Sequence, residues 1–330
     1  MSDLSLRGYI VVNNALSSQQ VETINAILDQ KIAEGRWHIA DKQHRPEDPV
    51  QAGANRPGEA RPQPGLKQPI NCRFGSQAKV GELLDWGPAL TDLIDQPTIL
   101  PILHQLCGAR CRLDHDYINV LQTGGAVLGL HGGGSSQAVD GGFGGGSTFY
   151  HYANGKFLNG LLTVAYELYT VHPGDGGFAC VSGSHKSNVE LPKEWESAST
   201  QHELNAREQQ TGFQVDRVTC EAGSAIIFTE AAKHGTLPWL GASERRTVFM
   251  KYAAAAVAWS GGYYNASRWP WITPQQAAML EPPHVPNGRS WESESARSVL
   301  EKEIIALREE VKALRSQTLT TSDSVPSPRL

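Results

Sequence analysis

His131 closes an apolar run, Ala126-Val127-Leu128-Gly129-Leu130, and opens a glycine-rich stretch, Gly132-Gly133-Gly134-Ser135-Ser136. A second apolar run, Ser224-Ala225-Ile226-Ile227-Phe228, leads to His234-Gly235-Thr236, and Arg245 stands eleven residues beyond His234. Two neutral imidazoles delivered to the ends of separate strands suit a divalent transition metal. An arginine suits a carboxylate, because its planar, permanently charged fork offers paired donors where lysine offers a point charge. A lone histidine is usually only a polar residue. The case rests on the ordered set His131, His234, Thr236 and Arg245, which is much harder to reach by chance.

This layout resembles the iron(II)/2-oxoglutarate oxygenases of the phytanoyl-CoA dioxygenase type. The resemblance covers roughly Ser5 to Tyr252 and includes a Gly-Gly-hydrophobic segment, Gly176-Gly177-Phe178, leading into a Gly183-Ser184-His185-Lys186 turn. It implies Fe(II) held by His131 and His234, 2-oxoglutarate and O2 as cosubstrates, and a small-molecule substrate. It also implies that Arg245, helped by the Thr236 hydroxyl, grips the far carboxylate of 2-oxoglutarate. Arg246 competes for that role, and the spacing from the histidine in the family favours Arg245.

The sequence departs from the family at one place. The first metal motif of such enzymes is His-x-Asp, and here the Asp position is Gly133. A residue without a side chain cannot ligate, so the resemblance shifts toward the iron/2-oxoglutarate halogenases, in which a small residue leaves a position for chloride. Three readings follow. The chain halogenates a C–H bond, with Gly133 marking the halide site. It is a hydroxylase or other oxidase whose carboxylate comes from elsewhere, with Asp140 the nearest candidate. Or it binds a ligand without redox chemistry.

The elements that must position these residues are mostly strands. The implied fold is mainly β with flanking helices, a double-stranded β-helix or cupin-like jelly roll, plus a C-terminal helix; the 33 glycines among 330 residues suit such a turn-rich chain. Gly8 to Val12 reads as a strand, and Ser17 with Gln20 reads as a capped helix start. Val21, Ile24, Leu28 and Ile32 then form its apolar stripe. Val80 to Cys107 reads as mostly helical, and Cys111 to Val120, Asn159 to Leu168 and Arg245 to Tyr252 read as strands. Val215 to Thr219 and Ser224 to Phe228 read as a hairpin around Glu221-Ala222-Gly223. Along the Arg245 strand, alternation sends Arg245 and Thr247 one way and Arg246 the other. His115, between Asp114 and Asp116, reads as a residue that supports ligands. His172 and His185 read as turn residues.

Residues 1–288 form the expected oxygenase-like domain, with 41–69, rich in proline and charge, as a flexible insertion or lid. Leu300, Ile304, Leu307, Val311 and Leu314 recur at heptad spacing, so a helix is expected over 289–317, through which copies of the chain could associate. The tail 318–330 is expected to be disordered. A net charge of −5 leaves no basic footprint for nucleic acid, and no apolar run is long enough to span a membrane. The aromatic segment Trp259 to Trp271 has few basic residues and reads as packing. The five cysteines, an odd number without C-x-x-C spacing, read as reduced thiols of a cytoplasmic protein. Cys107 and Cys111 lack the further ligands that zinc would need.

Overall fold

A computed structural model describes residues 2–35, 38–39, 71–75, 80–125, 128–133, 148–153, 156–187, 192, 195, 201–284, 302 and 304–305. Among the described residues, thirteen strands follow in chain order. They are β1 (Tyr9–Val12), β2 (His38–Ile39), β3 (Asn71–Phe74), β4 (Cys111–Leu121), β5 (Leu128–His131), β6 (Tyr150–Ala153), β7 (Lys156–Asn159), β8 (Leu162–Glu167), β9 (Gly177–Val181), β10 (Val215–Arg217), β11 (Ala225–Thr229), β12 (His234–Leu237) and β13 (Arg245–Ala254). The helices are α1 (Ser2–Arg7), α2 (Ser18–Ala33), α3 (Pro88–Thr91), α4 (Leu100–Cys107), α5 (Gln201–Thr211) and α6 (Pro274–Met279).

Two sheets carry the architecture. The larger has seven strands in the order β1-β11-β8-β13-β4-β3-β2, and the smaller has four, β10-β9-β12-β5. The chain passes from the larger sheet at β8 to the smaller at β9 and β10, back at β11, and across again at β12 before β13, which is the winding of a double-stranded β-helix, a jelly roll. A separate hairpin, β6-β7, completes the strands.

Period-two alternation sorts the side chains. Ala225 and Ile227 of β11 and Val248, Met250 and Tyr252 of β13 join the core that includes Ile24 and Leu28 of α2 and Leu103 and Leu106 of α4. Ile226, Phe228 and Phe249 point the other way and meet Phe178 and Cys180 of β9. Apolar residues on both faces of these strands explain why they read as unbroken hydrophobic runs. The smaller sheet has its own cluster on Leu130, Ala179, Val181 and Leu237, covered by Leu204 of α5 and Trp195.

The start of α2 is set locally. Ser17 accepts from the Gln20 backbone and the Gln20 side chain accepts from the Ser17 backbone, a reciprocal cap worth about 1 kcal/mol. Trp269 and Tyr264 of the aromatic segment are buried, while Tyr263 and Trp271 are exposed.

Three expectations need correction. Val215–Arg217 and Ala225–Thr229 are not a hairpin: β10 pairs with β9 in the smaller sheet, while β11 pairs with β8 and β1 in the larger. The turn between them crosses from one sheet to the other, with Gly223 at φ +83° and a Cβ there only 2.8 Å from the Leu16 carbonyl. The Asn159–Leu168 run is two strands, β7 and β8, broken at Gly160. Only α3, α4 and a short 3-10 turn at Leu84–Trp86 are helical between residues 80 and 107, because prolines and glycines interrupt the run.

The insertion 41–69, Asp140, most of 289–317 and the tail 318–330 lie outside the described residues; Ile304 of the expected seam is helical and exposed. No helix among the described residues is long and apolar enough to cross a membrane.

Candidate metal centre

The pairing of β12 with β5 sets His234 directly opposite His131, and their rings lie 4.4 Å apart between centroids. Each ring is anchored in the same manner. Nδ1 of His131 lies 2.8 Å from the Gly129 carbonyl, and Nδ1 of His234 lies 2.8 Å from the Ala232 carbonyl. A carbonyl only accepts, so both Nδ1 atoms carry the proton and the lone pair is on Nε2. A main-chain acceptor behind an imidazole fixes tautomer and orientation, as metal sites require.

The third member of the cluster was not singled out from the sequence. Glu230, His131 and His234 each offer a ligand atom, and these atoms lie within 4.8 Å of one another. Glu230 sits in the short link from β11 to β12, where the chain passes from the larger sheet to the smaller. Its Oε2 is 3.7 Å from His234 Nε2. Its Oε1 accepts from the Thr163 hydroxyl and the Lys251 ammonium. The only sequence signal was the spacing Glu230-x3-His234, which has no meaning until the link folds back.

Burial and charge set the protonation states. Burial pushes the His234 imidazole down to about 3 against the pull of Glu230, so the ring is neutral at neutral pH. Burial acts to raise Glu230, but Lys251 and then His234 hold its carboxyl below the usual range, so it is ionised. Burial acts to lower Lys251, yet the Glu230 carboxylate leaves it raised. Two neutral imidazoles and one carboxylate are the donor set that a ferrous ion takes while keeping positions open for other ligands. The residues present therefore fit a bound divalent metal.

Gly133 has a backbone reason to be glycine. Its φ is +58°, and a Cβ would lie 2.3 Å from the Ala231 carbonyl and 2.9 Å from Lys233 Nζ. Its N–H donates to the Glu230 carbonyl, and Lys233 Nζ donates to the carbonyls of Gly132 and Gly133. The loop after His131 is thereby clamped onto the Glu230–Lys233 link.

Arg245 and Thr247 do face the same way, and Arg246 faces the other. Arg245 makes a two-point contact with Glu167, which also accepts from the Thr247 hydroxyl. Arg246 reaches α2 instead, at Asn25 and Asp29. Thr236 lies two residues along β12 from His234, on the same face, and is half-buried. His115 is buried with Nδ1 on Asp114, opposite Lys251 in the β4–β13 register. His172 is exposed in its turn, and His185 is buried against Tyr150.

These features meet the comparison with known proteins at one point. The phytanoyl-CoA dioxygenase (PhyH) family matches residues 4–247. The chain belongs to that family. Membership makes it an oxidoreductase of the iron(II)/2-oxoglutarate dioxygenase type, with Fe(II) and 2-oxoglutarate as the cofactors of the class. No curated protein matches the chain. Among solved structures, HygX from Streptomyces hygroscopicus, with nickel and 2-oxoglutarate bound, is similar at 20% identity and a TM-score of 0.55, over 78% of this chain and 86% of its own. HygX has also been solved with nickel, 2-oxoglutarate and hygromycin B, where the identity is 21% and the TM-score 0.55, over 78% of this chain and 86% of its own. The α-ketoglutarate-dependent epimerase SnoN from nogalamycin biosynthesis is similar at 15% identity and a TM-score of 0.51, over 77% and 82%. At such identities these likenesses show the shared fold.

Proposed function

We propose that this member of the PhyH family oxidises a C–H bond of a small molecule as a hydroxylase-type enzyme whose metal is held by His131, His234 and Glu230. The observation that carries the reading is the Glu230 carboxylate beside His234, with one oxygen tied to Thr163 and Lys251 and the other 3.7 Å from the imidazole. A carboxylate from the strand link takes the part that Gly133 cannot. Iron and 2-oxoglutarate, when bound, supply the oxygen-activating chemistry. The chain's own residues hold the two imidazoles in one tautomer and keep the carboxylate ionised in a buried site.

Halogenation is the less favoured form. The close carbonyl at Gly133 supports a glycine kept for the loop rather than for an anion. Arg245 remains our assignment for the far carboxylate of 2-oxoglutarate, with the Thr236 hydroxyl assigned to help it, although its guanidinium also holds Glu167. Arg245→Leu together with Glu167→Leu removes both charges at once; loss of a contact to a buried carboxylate should cost roughly 2–5 kcal/mol of 2-oxoglutarate affinity, with Arg246→Leu much milder.

The test is reconstitution with Fe(II) and 2-oxoglutarate, followed by oxygen exposure with and without chloride. Succinate release without chlorinated product is expected. Chloride-dependent change in the charge-transfer absorption, with chlorinated product, would restore the halogenase reading.

A further inference from the structure

One cation on the inner face of the larger sheet has no carboxylate partner among the described residues. Arg73 on β3 is half-buried, and its Nε donates to Asn119 Oδ1 at 2.9 Å. Its guanidinium carbon sits over the Tyr117 ring, 4.1 Å from the centroid. Arg112, Arg245 and Arg246 each hold an acidic group. Among the described residues, none pairs with Arg73.

The stacking is what makes this cation usable. A guanidinium resting on an aromatic face spends its π surface, not its in-plane donors. Tyr117 is itself fixed by stacking on Phe249 at 4.7 Å, so the platform under Arg73 is rigid. Asn119, also half-buried, holds Nε and sets the direction of the fork.

The platform leads to the metal centre. Lys251 Nζ lies 5.8 Å from the same Tyr117 ring and is bound to Glu230. Arg73, Asn119, Tyr117 and Lys251 follow from register: Arg73 pairs with Asn119, and Lys251 pairs with His115, two residues from Tyr117 on the same face. The four strands of the smaller sheet cannot cover all seven of the larger, and β3 lies toward the far edge, next to β2.

We propose that Arg73 anchors a carboxylate carried by the substrate, with the substrate body lying along Tyr117 toward His131, Glu230 and His234. This rests on the metal reading above and adds the chemical class of the substrate. The charge balance favours a carboxylate over a phosphate. Lys251 is already neutralised by Glu230, so among the described residues a single guanidinium is available here, enough for one negative charge in a two-point contact.

The full chain loaded with Ni(II) and 2-oxoglutarate, which does not turn over, provides the test. Titration of both comes first, so failure of the metal reading shows there, and the carboxylate series is also run on metal-free protein to read Arg73 by itself. Hexanoate and benzoate are then compared with hexanamide, benzamide and methyl phosphate by ligand-observed NMR. The acids should bind more tightly than the amides in either form of the protein. Arg73→Gln should weaken the acids roughly ten-fold or more while leaving nickel and 2-oxoglutarate affinity unchanged. Arg73→Lys should retain part of the preference. Absence of acid binding, equal binding of acids and amides, preference for methyl phosphate, or an unaltered Arg73→Gln would overturn the proposal. A fall in 2-oxoglutarate affinity in Arg73→Gln would also overturn it, making Arg73 a cosubstrate anchor.

Discussion

Two buried cation–carboxylate pairs share the inner face of β13, and they differ in what they leave over. At one end Arg245 and Thr247 take up both oxygens of Glu167. Toward the other end Lys251 and Thr163 take only Oε1 of Glu230, and Oε2 turns toward His234. Each pair removes charge from water and recovers the loss through close contacts. In the Glu167 pair both carboxylate oxygens are taken up. The Glu230 pair keeps an acceptor beside two imidazole lone pairs, and that remaining capacity marks a metal site more surely than the presence of charge.

Removing one partner from each pair sharpens this contrast and should have the largest effect. Glu167→Ala leaves Arg245 buried without a counter-charge and should lose about 3–5 kcal/mol of stability. Lys251→Met leaves Glu230 buried without its ammonium and should lose a similar amount in metal-free protein. The two should then part company on adding Ni(II). Metal supplies the missing positive charge at Glu230, so Lys251→Met should recover in thermal melts, while Glu167→Ala should gain no more than the wild type does. Equal recovery of both variants would break the comparison.

Gly133→Ala comes next. The added Cβ meets the Ala231 carbonyl and Lys233 Nζ, at a backbone angle that side chains rarely adopt. Destabilisation of about 1–3 kcal/mol is expected from the forced shift, with weaker metal binding because the loop after His131 moves. Chemical denaturation and calorimetric metal titration read the two effects separately. An unperturbed Gly133→Ala would reopen the idea of an anion pocket there.

Much of the fold could be read beforehand, for physical reasons that vary by element. The α2 cap is a local device written in Ser17 and Gln20. The opposed faces of β13 follow from strand alternation, and His131 and His234 stand out because each follows an apolar run. Glu230 was not legible. It becomes a neighbour of His234 only when the β11–β12 link crosses between sheets, and no local pattern encodes that crossing. The β10–β11 pairing is absent for the same reason: proximity in sequence suggests a hairpin, whereas the jelly roll sends the two strands to different sheets. Spacing singles out Arg245 as a candidate, but its buried partner Glu167 lies 78 residues earlier and leaves no sign in the sequence.

A smaller effect comes from a histidine outside the metal cluster. Burial lowers His185 from 6.5 to about 4, despite its hydrogen bond to the Ser5 carbonyl. The unfolded chain takes up a proton below pH 6.5 that the folded ring refuses, so this contribution is complete above pH 6.5 and is lost as pH falls toward 4. The loss should appear as a steeper decline of stability between pH 6.5 and 4. His185→Gln should show a shallower decline over that window in urea denaturation. An identical slope would place the acid sensitivity elsewhere.

The central claim is that Glu230 completes the metal site with His131 and His234. Its most direct test is calorimetric Ni(II) titration, in the presence of 2-oxoglutarate, of the wild type and of Glu230→Gln combined with Lys251→Met. The double variant keeps the side-chain shapes and removes both charges, so the fold is not asked to bury an unpaired ion. We predict one metal per wild-type chain and an affinity lower by about a hundred-fold or more in the variant, since even outer partners of metal ligands are worth 10–100-fold. Wild-type affinity in a folded double variant would contradict the account.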